Sequence, residues 1–98
     1  MADGVVHVLP EGIGQEQYEA VNEKLNAQGD PPSGLRFHAA GQGEDGRWRI
    51  IEVWGSRSEF EQFEQDRLTP AIAETTGIPA DDLPAAKHTW FSVHTQMP

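Results

Sequence analysis

The sequence contains no cysteine, so disulfide bonds and thiolate metal sites are excluded. Basic residues are scarce: seven lysines and arginines stand against sixteen acidic residues, which gives a formal net charge of −9. The bases are scattered, and such a chain is poorly suited to a phosphate backbone, so no binding to nucleic acid is expected. No apolar run approaches the ~18 residues of a membrane-spanning helix, and the N-terminus has no basic segment followed by an apolar one. We therefore expect a cytoplasmic protein without membrane contact.

The length and composition indicate one globular domain. A chain of 98 residues forms a single domain, 1–98, with one modest core that a partner subunit would help to complete. Hydrophobic residues make up 37% of the chain, and its ten glycines bring the apolar share into the normal globular range.

Four β-rich segments alternate with two amphipathic helical segments. The predicted strands are 4–9, 35–41, 47–54 and 87–95, the predicted helices are 14–27 and the segment from 56 onward, and the main loops are 28–34 and 77–85. Ser56 and Glu59 match a capping box at the start of the second helix. Pro70 should bend or break that helix near Leu68, because it removes a backbone donor. The order β-α-β-β-α-β predicts a ferredoxin-like α+β sandwich, a four-stranded antiparallel sheet with both helices on one face.

The strand 47–54 has two different faces. Side chains alternate along a strand, so Ile51 and Val53 point one way and Glu52 points the other. Burying an unpaired carboxylate under a helix is costly, so we assign Ile51 and Val53, with Phe91 of the last strand, to the helix side. The open face is then predicted to hold all four histidines, all three tryptophans and one acid: His7, His38, His88, His94, Trp48, Trp54, Trp90 and Glu52. Such a face requires a cover, either a second subunit or a small molecule.

Two of these histidines should flank the acid. In the expected strand order the third strand lies between the first and the second, which places His7 and His38 on either side of Glu52. A carboxylate that fixes the tautomer of an imidazole makes a general base near neutral pH, so His7, His38 and Glu52 are the predicted catalytic residues. The same groups would also suit a polar network without catalysis. Two histidines and a carboxylate resemble non-haem iron ligands as well, but nothing fixes their geometry, and no metal site is predicted.

The tryptophans are the predicted substrate-binding residues. Trp90, Trp48 and Trp54 are suited to stack on a planar aromatic molecule, or else to fill the core of a dimer. Arg36 is a candidate for holding an anionic group of the substrate, although pairing with an acid or lying at an exposed edge is also consistent with its position. His94, close to the C-terminus, is a candidate for reaching across to a second subunit.

Other side chains are expected to be structural. Tyr18, Phe60 and Phe63 lie on the apolar stripes of the two predicted helices and are assigned to the core. His88 is expected to be solvated at the start of its strand.

Several segments together resemble the dimeric α+β barrel superfamily, closest to its antibiotic-biosynthesis-monooxygenase-like group. The residues that carry the resemblance span nearly the whole chain: Gly4-Val5-Val6-His7, Phe37-His38-Ala39-Ala40-Gly41, Trp48-Arg49-Ile50-Ile51-Glu52-Val53-Trp54-Gly55-Ser56, Phe63 followed by Arg67-Leu68-Thr69-Pro70-Ala71, and Val93-His94. The resemblance implies a homodimer in which the sheets of two subunits pack face to face and close a barrel around a small-molecule cavity.

What the resemblance implies about chemistry is broader. The superfamily includes cofactor-free oxygenases of aromatic polyketides, haem-degrading enzymes, lactone isomerases and members with no known activity. The sequence lacks the Asn-Trp-His set of the haem-degrading relatives, so no haem and no other cofactor is expected. The function predicted in this way is a cofactor-independent monooxygenase acting on an aromatic or polyketide-like molecule in the cavity. An isomerase or cyclase using the same base, a non-catalytic binding dimer and a purely structural dimer remain open, so whether the chain is an enzyme is not decided by its sequence.

Overall fold

The computed structural model describes residues 2–26, 29–84 and 86–97. Its elements are strand β1 (Asp3–Val8), helix α1 (Gln15–Leu25), strands β2 (Leu35–Gln42) and β3 (Trp48–Trp54), helix α2 (Arg57–Phe63), a π-helical turn (Glu64–Leu68), helix α3 (Thr69–Thr76), a 3₁₀ turn (Ala80–Asp82) and strand β4 (Lys87–Ser92). The predicted helix end at Ala27, the loop start at Gln28 and the loop position Ala85 lie outside the described residues. Within the described ranges, every helix is too short or too polar to cross a membrane.

The four strands form one antiparallel sheet in the order β2-β3-β1-β4. The predicted α+β class, the ferredoxin-like order and the position of the third strand between the first and second are confirmed. β1 and β3 are the central strands, so their side chains have neighbours on both sides.

The second helical segment is continuous through Pro70. Ser56 begins it as predicted, since its Oγ accepts from the Glu59 backbone N–H at 3.3 Å. The predicted break does not occur: near Leu68 the chain widens into the π-helical turn, where the Thr69 N–H donates to the Glu64 carbonyl five residues back. A wider turn tolerates the missing donor and the bulk of the proline ring without ending the helix.

The core lies between the sheet and the second helical segment. Val5 and Trp54 are fully buried and pack with Phe60 of α2. Leu35, Phe63, Leu68 and Trp90 surround this cluster. The Trp54 ring lies 5.4 Å from Phe60 and 5.6 Å from Phe63, centroid to centroid.

The predicted assignment of the sheet faces is therefore wrong. Trp54, Glu52 and the neighbouring histidines point toward the helices, whereas Ile51, Phe91 and Phe37 point away from them. The prediction assumed that Glu52 would be unpaired under a helix. It is instead hydrogen-bonded by three donors from the sheet, and bonds to a charged group contribute roughly 1.5–3 kcal/mol each, which offsets the cost of desolvation.

The open face of the sheet is apolar. Phe37 is 38% exposed, Ile51 43% and Phe91 48%, all large side chains without cover. Gly4 lies directly opposite Phe91, and a Cβ at Gly4 would meet the Phe91 ring at 2.3 Å, so the absence of a side chain at Gly4 makes room for that ring. An irregularity between Leu35 and Phe37 reverses the alternation in β2, which is why Leu35 joins the core while Phe37 faces outward.

Helix α1 is held loosely. It contains no buried residue, and Gly14 at its N-cap supplies no capping side chain. The ion pair between Lys24 and Glu74 of α3 (2.6 Å) and the hydrogen bond from Arg67 to the Leu25 carbonyl (3.0 Å) hold its C-terminal end. The core cluster contains no residue of α1, so this helix can shift without opening the core.

Candidate functional site

The strand register brings the predicted catalytic residues together. His38 of β2 pairs directly with Glu52 of β3, and His7 of β1 pairs with Ile50, two residues away on the same face. Direct and diagonal neighbours on one face lie within reach of long side chains, so both imidazoles meet the carboxylate of Glu52. The predicted juxtaposition of His7, His38 and Glu52 is confirmed, on the helix side of the sheet.

Glu52 is the centre of this cluster. Its Oε1 lies 2.8 Å from His7 Nε2 and accepts from Trp54 Nε1 at 3.2 Å, and its Oε2 lies 2.9 Å from His38 Nδ1. Burial raises the pKa of Glu52, but the hydrogen bonds from His38 and His7 outweigh it and lower the pKa from 4.5 to about 2. Glu52 is thus ionised at neutral pH and serves only as an acceptor, so each histidine nitrogen that faces it must donate.

Each histidine continues the chain of hydrogen bonds outward. His38 Nε2 is bonded to the hydroxyl of Tyr18 on α1, and His7 Nδ1 lies 2.6 Å from His88 Nδ1 of β4. When His38 is neutral and donates to Glu52 through Nδ1, its Nε2 accepts the Tyr18 proton. By the same logic a neutral His7 accepts from His88. Two arms, Tyr18–His38 and His88–His7, therefore converge on one carboxylate.

Because both arms donate toward Glu52, the network is not a directional proton wire. Each arm ends on Glu52 with an N–H donor, His38 Nδ1 in one arm and His7 Nε2 in the other. Burial lowers the pKa of His88, and the adjacent His7 lowers it further, so His88 is neutral at neutral pH. The His88 end of the network therefore disfavours an added proton.

Only the ends of the network are accessible from outside. His7 is 6% exposed and Glu52 7%, whereas Tyr18 is partly exposed and both His38 and His88 are exposed. A small molecule can reach the Tyr18–His38 end or the His88 end without unfolding the core. His7 and Glu52 can act on it only through His38 or His88.

The three tryptophans lie in different surroundings. Trp54 is in the core and contacts the network through its N–H. Trp48 is partly buried against Tyr18, with ring centroids 5.4 Å apart, and its Nε1 is buried without a hydrogen-bond partner among the described residues. Trp90 on the edge strand packs on Phe60 at 5.5 Å and carries the Arg57 guanidinium 4.9 Å above its ring. Their roles as substrate-binding residues stay predictions.

The remaining predicted site residues lie apart from this cluster. Arg36 and His94 are exposed, Arg36 in β2 and His94 beyond the end of β4. Their predicted contacts with an anionic group and with a second subunit also stay predictions.

Two members of the network were not expected from the sequence. Tyr18 was assigned to the core because it lies on an apolar helical stripe, and nothing in the sequence specifies where α1 crosses the sheet. His88 was expected to be solvated. The antiparallel pairing of β1 with β4 places His88 directly opposite His7. This strand pairing was the signal that could have predicted the contact.

The predicted cavity between two sheets does not have the predicted walls. His7, His38 and Glu52 face the helices, so the expectation that they line a sheet-to-sheet cavity is wrong. Two open depressions in the described part of the chain lie elsewhere. One is at the β2–β3 turn (Gly43, Glu44, Asp45 and Arg49), and the other is beside α2 (Pro32, Ser33, Glu59, Gln62, Phe63, Asp66 and Arg67). In the described ranges, no group of three or more histidine and acidic side chains has the arrangement of a metal site.

Comparison with solved structures identifies proteins that share this fold. No protein-family model matches the sequence, and no curated protein is significantly similar to it. Among solved structures, SnoaB, a cofactor-independent oxygenase from Streptomyces nogalater, is 17% identical with a TM-score of 0.60, covering 99% of this chain and 96% of that one. A putative antibiotic biosynthesis monooxygenase from Caulobacter crescentus is 13% identical with a TM-score of 0.63, covering 96% of this chain and 91% of its own.

The same fold is found with a different activity. A hydroxynitrile lyase from Passiflora edulis is 11% identical with a TM-score of 0.55, covering 99% of this chain and 96% of that one. At identities this low, structural similarity shows a shared fold but not a shared reaction. The chain has the fold of SnoaB and of the putative antibiotic biosynthesis monooxygenases, which is the fold that the sequence resemblance predicted.

Proposed function

We propose that the protein is a cofactor-independent oxygenase that acts on an aromatic small molecule by general-base catalysis, with His38 as the base. The observation that carries this proposal is the bond from His38 Nδ1 to Glu52 Oε2 (2.9 Å) on an exposed histidine. A buried, ionised carboxylate fixes the tautomer, leaves Nε2 as the basic atom and stabilises the imidazolium that forms.

The chemistry needs an acidic substrate and molecular oxygen. His38 Nε2 removes a proton from an activated CH₂ group or a phenol, and the resulting electron-rich anion reacts with O₂. When a CH₂ group becomes a carbonyl, one O₂ is consumed, one oxygen atom enters the product and the other leaves as water. The electrons come from the two C–H bonds of the substrate, so the balance requires no further reductant. SnoaB, which shares this fold, is a cofactor-independent oxygenase, and this supports the choice of oxygenation.

Glu52 and His7 act behind the base. Glu52 positions His38, and His7 holds the other carboxylate oxygen at 2.8 Å while His88 supports His7. Neither Glu52 nor His7 touches the substrate, because both are buried.

The proposed assembly is a homodimer formed through the open face. Large apolar side chains that are exposed together on one sheet face favour burial against a second apolar surface. A second copy of this chain supplies such a surface. The sheet-to-sheet interface would be built by Phe37, Ile51 and Phe91, and the histidine network would remain inside each protomer.

The test is oxygen consumption with anthrone, whose CH₂ lies between two aryl rings opposite a carbonyl. We expect one O₂ consumed per anthraquinone formed, and a decrease in kcat of about 10²–10⁴-fold for His38→Ala, the usual contribution of a general base. Asp81→Ala, an exposed substitution in the 3₁₀ turn, is the surface control and should keep full activity.

Three results would count against this proposal. Turnover of anthrone that is unchanged by His38→Ala would remove His38 as the base. Conversion of a ketone substrate under nitrogen, lost in His38→Ala, would favour an isomerase or cyclase on the same base. Binding without turnover in either atmosphere would favour a non-catalytic binding protein.

A further inference from the structure

Tyr18 presents a phenol to the base. Its hydroxyl is bonded to His38 Nε2, its ring is stacked on the imidazole with centroids 5.9 Å apart and planes 19° apart, and its ring contacts Trp48 at 5.4 Å. An aromatic ring against two others, with its hydroxyl on a basic nitrogen, is the arrangement expected of a bound phenolic ligand.

We propose that the position of the Tyr18 side chain is the ligand site, and that a hydroxylated aromatic molecule binds by displacing Tyr18 from His38 and Trp48. This inference rests on the proposed function in one respect, namely that His38 is the group that meets the substrate. Tyr18 then competes with the ligand for the same position beside His38 and Trp48.

The tautomer of His38 selects the ligand. Since Nδ1 donates to Glu52, Nε2 of the neutral ring is an acceptor and requires an O–H donor. A phenol supplies this donor, whereas its methyl ether does not. A site built to bond a hydroxyl discriminates strongly against analogues that lack it, because its polar atom is then left unpaired.

Trp48 adds a second recognition element. Its Nε1 is buried and has no hydrogen-bond partner among the described residues, so it is available to donate to an oxygen of the ligand. Its ring offers a stacking surface once Tyr18 has left.

The displacement is physically inexpensive. Tyr18 is partly exposed, and α1 contributes no residue to the core cluster. Rotation of one side chain, or a small shift of α1, uncovers His38 and leaves the cluster around Val5, Trp54 and Phe60 intact. A pocket that opens in this way is a minor conformation that the ligand stabilises.

The experiment measures binding of 2-naphthol to the full chain. The imidazole resonances of His38 are followed by NMR during titration with 2-naphthol, and with 2-methoxynaphthalene as the matched ligand without the hydroxyl. We expect Tyr18→Ala to bind 2-naphthol about tenfold more tightly than the unmodified protein, because a hydrogen bond and its ring contact no longer compete. We expect no comparable gain for 2-methoxynaphthalene.

Matched variants separate displacement from general loosening. Tyr18→Phe keeps the ring and removes only the hydroxyl, so its affinity should lie between those of the unmodified protein and Tyr18→Ala. Ala20→Gly weakens α1 but keeps the competing ring and hydroxyl of Tyr18, so its gain in affinity for 2-naphthol should be smaller than that of Tyr18→Ala. Adding His38→Ala to Tyr18→Ala should abolish the gain.

Several outcomes would overturn the inference. Tyr18→Ala that binds 2-naphthol no more tightly than the unmodified protein would show that the ligand does not use this position. Equal gains for 2-naphthol and its methyl ether would show that His38 does not select the hydroxyl. Weaker binding together with lost turnover in Tyr18→Phe would make Tyr18 a catalytic residue instead. The NMR titration measures binding without turnover. If Tyr18→Ala binds 2-naphthol tenfold more tightly but no oxygen is consumed with anthrone, the proposed function is contradicted and the proposed ligand site is supported.

Discussion

Glu52 is the residue on which the network depends, because both arms donate to its carboxylate. Removing its charge would leave two imidazole donors and an indole donor facing a buried neutral group. An amide at this position has one acceptor oxygen and an NH₂ group that opposes a donor, so it cannot replace the carboxylate. The energetic role of Glu52 is therefore measurable apart from any reaction.

A pH-dependent stability measurement tests this role. The pKa of Glu52 is lowered from 4.5 to about 2 on folding, which corresponds to roughly 3 kcal/mol. Because the folded pKa is lowered, this contribution is fully present above pH 4.5 and is lost as the pH falls toward 2. We expect Glu52→Gln to be less stable than the unmodified protein near pH 6 in urea unfolding, and the difference to shrink by roughly 3 kcal/mol between pH 5 and 2.

Asp45 is the control for this measurement. Its carboxylate pairs with Arg49 at 2.6 Å on the surface, and that hydrogen bond also lowers the pKa of Asp45. Asp45→Asn removes an exposed pair, so its stability difference should stay small throughout this pH range. A difference between Glu52→Gln and the unmodified protein that does not change from pH 5 to 2 would contradict the account of Glu52.

At the level of elements, the two helical segments are attached to the sheet in different ways. The second segment anchors the core through Phe60 and Ala71, both buried, and continues through the π-helical turn. Helix α1 has no buried residue and contacts the sheet through Tyr18. Helices without buried apolar contacts belong to the least stable part of a fold.

Hydrogen exchange tests this difference. We expect the amides of residues 15–25 to exchange faster than those of β1 and β3, because α1 can open without disturbing the core, whereas the central strands open only with the whole fold. The helix from 57 to 76 is the internal control and should be better protected than α1. Protection of α1 equal to that of β3 would show that it is an integral part of the core, and would make displacement of Tyr18 costly.

At the scale of the whole molecule, the proposed assembly depends on the open apolar face of the sheet. Phe37, Ile51 and Phe91 remain exposed in a single chain. A charge placed among them would have to be buried in a sheet-to-sheet dimer, and an unpaired buried charge is strongly unfavourable.

Sedimentation velocity tests the proposed dimer. We expect the unmodified protein to sediment as a dimer and Ile51→Asp as a folded monomer. Ile78→Asp is the matched control, because Ile78 is 37% exposed, close to the 43% of Ile51, but lies outside the sheet. An unmodified monomer, or an Ile51→Asp variant that remains dimeric, would show that this face is not the interface.

The sequence alone determined the order of the elements, the strand order and which site residues share one face of the sheet. Period-two alternation fixes which residues share a face, so His7, His38, Glu52 and the three tryptophans were grouped correctly without coordinates.

Only the tertiary structure decided which way that face points. Alternation is symmetric, so the choice depended on the cost of burying Glu52, and that cost depends on donors contributed by other strands. The position of Tyr18 over His38 depends on how α1 crosses the sheet, and the bond between His7 and His88 depends on the β1–β4 register. These are contacts between residues distant in sequence, and local patterns do not encode them.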